Sequence, residues 1–173
     1  MKRPSLLLLA LLPLVALLGS CSSQVKAKHP VSYRFESGRT AMIKNGIAYA
    51  PRGAPPAVKR AIAAGNRLQG KPYKWGGGHA KHHDSGYDCS GTTSYVLREA
   101  GLLRGSLTSK GYFNYGKKGE GRWITVYVRN GHVFLTVAGL RLDTGGSSGR
   151  TGPRWKTATR QGRGHVMRHP SGL

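Results

Sequence analysis

Cys89 is the residue of this chain best equipped for covalent chemistry. It sits in Tyr87-Asp88-Cys89-Ser90-Gly91, and the only other cysteine is Cys21. An ordinary thiol, with a pKa near 8.5, is only about a few per cent ionised at neutral pH. A nucleophile needs a setting that favours the thiolate. The free N–H groups and positive dipole end of a helix N-terminus provide part of it, and a cationic neighbour the rest. A buried, inert cysteine needs neither. Asp88 opposes ionisation of its neighbour, so a cationic partner is required, and histidine is the usual one.

Seven histidines are available: 29, 79, 82, 83, 132, 165 and 169. His79, His82 and His83 crowd just before the cysteine, with Asp84. Their spacing matches no standard zinc signature, and Lys74 and Lys81 in the same loop oppose a cation. They read as a solvated polar lid beside the site. His165 and His169 read as surface residues of a basic tail. His132 differs, because it opens a strand directly after Asn130-Gly131, the strongest short hairpin signal. If Ala138-Gly139 is a two-residue turn, Phe134 opposes Asp143 and His132 opposes Gly145. Asp143 then shares the face of His132 on the diagonal, about 7–8 Å away between backbones. A carboxylate there bonds one ring nitrogen and leaves the other for a thiol, the arrangement of nucleophile, base and orienter. A longer turn breaks this register, and Asp143 then merely solvates a strand end.

The elements that must position these groups are legible in part. Pro56 to about Leu68 predicts a helix, with proline in its first turn and Val58, Ala61, Ile62, Gly65 and Leu68 on one face. Residues 71–88 are too rich in glycine and polar residues to be regular. A second helix runs from Cys89 to Ala100, with Gly101 as its C-terminal cap. After another glycine-rich loop, 104–121, the pattern changes to the alternation of strands: 122–129, 132–137 and 140–144. VSYRF (31–35) and GIAYA (46–50) are short strand candidates. The tail reads as loop with one short strand at 164–168. Trp123 and Trp155 read as packing residues, and Trp75 either lines the groove or packs under the helix. The fold class is α+β, with the helix that carries Cys89 packed on an antiparallel sheet.

The N-terminus has its own chemistry. Lys2 and Arg3 precede the apolar run Leu6–Leu18, which falls short of the about 20 residues that span a bilayer and fits a signal segment. Leu18-Gly19-Ser20-Cys21 resembles a bacterial lipobox, in which the cysteine is lipidated and starts the mature chain. An ordinary secretory signal with an incidental cysteine is the other reading. Lipid on Cys21 leaves Cys89 without a disulfide partner. The expected division is a signal peptide at 1–20, a lipidated tether and irregular segment at 21–54, and one domain at 55–173. The formal charge of +22, from 28 basic and six acidic residues, is spread along the chain. It points to anionic surroundings such as cell-envelope polymers, and the export signal argues against nucleic acid as the partner.

Ala61–Gly101, with its core RLQGKPYKWGGGH…YDCSGTTSYVLREAG, resembles the NlpC-type cysteine peptidases of bacterial cell walls. The resemblance extends over about residues 57 to 145. It implies a papain-like domain in which Cys89 is the nucleophile, His132 the general base and Asp143 the orienter. It also implies that Tyr73 serves the oxyanion and substrate site, and that Asp88 and Ser90 contact the stem peptide. Three departures stand out: a longer loop before the cysteine, RWITVYVRN in place of the usual GDLVFF strand, and Asp where His is commoner as orienter. The resulting expectation is a monomeric outer-membrane lipoprotein facing the periplasm. It would hydrolyse an amide bond in peptidoglycan stem peptides or their crosslinks, with no metal or organic cofactor. A catalytically inactive wall-binding lipoprotein is the alternative.

Overall fold

A computed structural model describes residues 23–145 and 151–173. The expected signal segment and Cys21 lie outside the described residues. In chain order the elements are β1 (Met42–Lys44), β2 (Ile47–Tyr49), α1 (Pro56–Arg67), α2 (Cys89–Glu99), a 3-10 turn at Gly111–Asn114, β3 (Lys117–Lys118), β4 (Ile124–Arg129), β5 (His132–Val137), β6 (Leu140–Asp143), β7 (Arg154–Lys156) and β8 (Val166–His169). The last six strands form one antiparallel sheet in the order β3-β8-β4-β5-β6-β7, and β1 and β2 form a separate hairpin.

The centre of the sheet follows from strand alternation. Val126, Val128, Val133, Leu135, Val137, Leu140 and Leu142 are fully buried in the main core with α1 and α2. The intervening residues Tyr127, Phe134, Arg141 and Asp143 point to the other face. That face is covered as well: Tyr127 stacks on Phe134 at 4.9 Å, and Ala27 packs against both. The cover comes from the two chain ends. Lys26 bridges to Val166 and Val31 to Arg160, with backbone hydrogen bonds from Ala27 to His165 and from Met167 to Val25. The stretch read as a tether therefore lies along β8 at residues 25–27, and Val31 after it pairs with Arg160. VSYRF is likewise not a strand. The partner of Ile47–Tyr49 is Met42–Lys44, joined through Asn45 and Gly46, both at positive φ. A two-residue turn selects the segment immediately before it, and VSYRF lies too far upstream.

Each helix owes its place to close packing. α1 buries Val58, Ala61, Ile62, Ala64 and Gly65. Gly65 is there because the Trp155 indole lies across it: a Cβ would stand 2.2 Å from Trp155 Cζ2. The indole also donates a hydrogen bond from Nε1 to Asn66 Oδ1 at 2.8 Å. Trp155 is thus a packing residue, carried on β7, a strand the sequence pattern does not announce. Alanine is normally the better helix former by about 1 kcal/mol. Here Gly65→Ala is expected to cost about 1–3 kcal/mol through overpacking, read as a lower urea midpoint. An unchanged or higher midpoint would show that the indole moves aside freely.

Candidate active site

α2 begins at Cys89, and its start is held by Asp88. The Asp88 carboxylate accepts from Gly91 N at 2.6 Å, which caps the helix, and from Gly76 N at 3.1 Å. It also accepts from Ser90 Oγ at 3.0 Å. The glycine loop lies directly against this helix end: a Cβ on Gly91 would sit 1.9 Å from the Gly77 carbonyl oxygen. Gly91 is therefore a close-approach glycine in the second half of the DCSG motif. The thiol remains half-buried and free of any disulfide.

The β5–β6 hairpin supplies the second half of the site. Ala138 and Gly139 both have positive φ, as a two-residue turn with the twist of the strands requires. Leu135 pairs with Leu142 and Thr136 with Arg141, the register that sets Asp143 beside His132. His132 Nε2 donates to Asp143 Oδ1 at 3.0 Å. α2 packs on β5, and Cys89 is near enough to the same ring to help raise its pKa; with Nε2 bonded to Asp143, Nδ1 is the nitrogen that remains for a thiol. Burial disfavours the charged imidazolium, but Asp143 and Cys89 outweigh it and raise the His132 pKa. Burial likewise pushes the Asp143 carboxyl up; His132, the Gly145 N–H and Arg160 overcome it and hold the group below its ordinary value.

Two participants were not singled out from sequence. Arg141 Nη1 donates to Asp143 Oδ2 at 2.6 Å, and Arg160 Nε approaches the same oxygen at 3.5 Å. Arg141 is two residues from Asp143 on one strand, so alternation alone puts it on that face. Nothing local marks Arg160, which arrives on the tail. The histidine-rich loop is also more ordered than a solvated lid. His79 Nε2 lies 3.2 Å from Asp88 Oδ1 and 3.1 Å from Ser90 Oγ. His82 stacks on Tyr95 at 4.7 Å and bonds Glu99 and Arg98; His83 is exposed. Asp88 and Ser90 are thereby buried among protein partners, while Tyr73 forms a parallel bridge with Tyr87 and is half-exposed. Trp75 is 81% exposed, so it does not pack under the helix.

His165 corrects another expectation. It is buried at 4% exposure, its ring set edge-on to Phe134, and burial holds its pKa below the ordinary value. The two histidines therefore tilt stability in opposite directions with pH. His132, raised in the folded state, stabilises fully below its unfolded pKa of about 6.5 and loses that contribution as pH rises through its folded value. His165, lowered, contributes fully above about 6.5 and loses that contribution as pH falls toward its folded value. The stability difference between the natural chain and His132→Gln should accordingly shrink as pH rises, in thermal unfolding followed across the neutral range. A difference that grows would contradict the raised His132.

The sequence model of the NlpC/P60 family matches residues 70–122. That segment runs from Gly70 through the glycine loop, α2 and Cys89, so this part of the chain carries the likeness to the NlpC type. His132 and Asp143 lie beyond the matched residues. No curated protein matches the chain.

Proposed function

We propose that this protein is a cysteine peptidase that cleaves an amide bond in peptidoglycan stem peptides or their crosslinks. The family likeness of residues 70–122 points to cell-wall peptidase activity in general. The observation that carries the finer reading is the convergence of Cys89, His132 and Asp143 from α2, β5 and β6. Cys89 attacks the carbonyl carbon after His132 takes its proton. The tetrahedral oxyanion is stabilised by N–H groups at the start of α2, with Tyr73 nearby. His132 then protonates the leaving amine, giving an acyl-enzyme thioester that water resolves with the same histidine as base. Asp143 holds the imidazole in one tautomer and stabilises the imidazolium.

Asp88 and Ser90 serve this reading as supports of the helix start, and as substrate contacts once the peptide displaces His79. The leader and Cys21 are read as a lipid anchor holding the domain to the periplasmic side of the outer membrane. The basic surface then keeps it against anionic envelope polymers. The test is incubation of the protein with purified sacculi. Soluble peptides with new amino termini are expected, and alkylation of the thiol should abolish them. Absence of product, or product insensitive to alkylation, refutes the assignment.

A further inference from the structure

Behind Asp143, between β6, β7 and the segment 157–165, lies an open cavity of about 680 Å³. Its lining includes Arg129, Arg141, Lys156, Arg160, Arg163 and His165, and no acidic residue. Cys89, Tyr73, Asp88 and Ser90 are not part of it, so it is distinct from the thiol's surroundings. Two lining side chains, Arg141 and His165, are each only 4% exposed, and both carry a buried nitrogen without a hydrogen-bond partner: Arg141 Nε and His165 Nε2. Neither atom is reachable from the cavity, so what marks it as a site is its lining: five cationic side chains and no carboxylate around a space large enough for a small ligand.

The donor pattern narrows the class. His165 Nδ1 lies 3.1 Å from the Gly162 carbonyl, to which it must donate. Its Nε2 is enclosed by protein and is not offered to the cavity. Arg141 spends Nη1 on Asp143 and Nη2 on the Ala158 carbonyl, and its Nε is enclosed, so it contributes charge to the lining and not a free donor. Arg129 and Arg163 are exposed at the rim and make no ion pair among the described residues. Among the described residues Asp143 alone offsets Arg141 and Arg160, so the cluster retains excess positive charge. Several donors converging from different directions suit a tetrahedral oxyanion better than a planar carboxylate, and arginine is the usual residue for phosphate recognition.

We propose that this cavity is a second ligand site that binds a phosphomonoester, the phosphate oxygens taken by Arg129 and Arg163 at the rim within the positive field of Arg141, Lys156 and Arg160. A soluble ester and a lipid headgroup share this chemistry. The full chain, held in neutral detergent, is titrated calorimetrically with glycerol phosphate and with acetate. In parallel, its binding to phosphatidylcholine vesicles with and without phosphatidic acid is measured. The comparison variants are Arg129→Gln with Arg163→Gln, and Lys59→Gln with Arg104→Gln, which removes equal charge from exposed positions elsewhere.

Saturable binding of glycerol phosphate, about tenfold weaker in the rim variant and unchanged in the control, supports a site for soluble esters. Binding only to the phosphatidic acid vesicles, with the same variant pattern, supports a headgroup site. Equal losses in both variants, acetate binding as strongly as phosphate, or no saturable binding of any probe would each overturn the proposal. Cys89→Ser should bind like the natural chain, so the outcome is independent of whether peptides are cut.

Discussion

Cys89→Ser should reduce peptide release from sacculi by about 10⁴–10⁶-fold, the loss seen when one member of a cooperating nucleophile–base set is removed. The change alters one atom in a half-buried side chain at the first turn of α2. The Asp88 cap and the Gly77–Gly91 approach do not involve Sγ, so stability should move by less than about 1 kcal/mol. What changes is the nucleophile. A hydroxyl is far more weakly acidic than a thiol, and His132 cannot draw its proton off in advance of attack. The measurement is a time course of released peptides beside an unfolding curve. Loss of activity with an unchanged unfolding midpoint is the expected pair. Full activity in the serine form would remove Cys89 from the mechanism.

Asp143→Asn should damage both stability and activity. The carboxylate is wholly buried and joins His132 Nε2, the Gly145 N–H and Arg141 Nη1, with Arg160 close by. An amide fills the same space but is neutral, and its NH₂ must face a donor whichever way it is turned. If the NH₂ points to Arg141, two donors meet and the guanidinium loses its counter-charge. If it points to His132, the ring loses the acceptor that selects its tautomer. Breaking one side of a buried ion pair costs about 3–5 kcal/mol, which should appear as a clear drop in the denaturant midpoint. Loss of the orienter should also lower peptide release about 10²–10⁴-fold. A variant as stable as the natural chain would mean that Arg141 and Arg160 need no carboxylate.

Local sequence determined a good deal here. The Pro56 start and apolar face of α1, the DCSG start of α2 and the hairpins at Asn130-Gly131 and Ala138-Gly139 all depend on interactions within a few residues. So they could be read directly. The pairing of His132 with Asp143 belongs with them, because a two-residue turn with both residues at positive φ leaves one register. The tertiary structure decided what reaches the site from far along the chain. β7 is three residues long and owes its position to Trp155 lying on Gly65. Arg160 arrives at Asp143 only because the tail folds back, and His165 is buried for the same reason. Residues 25–30 look like a polar tether, yet 25–27 lie along β8 and Ala27 packs beside the pair of Tyr127 and Phe134. His79 and His82 look solvated but are held by Asp88, Ser90, Tyr95 and Glu99. None of these contacts has a periodicity or spacing to betray it, since each joins segments whose separation in sequence carries no turn geometry. The sequence alone could place Cys89 at a helix start and His132 beside Asp143; which cations surround that carboxylate, and the basic cavity they line, depended on how segments 25–31 and 157–169 close over the back of the sheet.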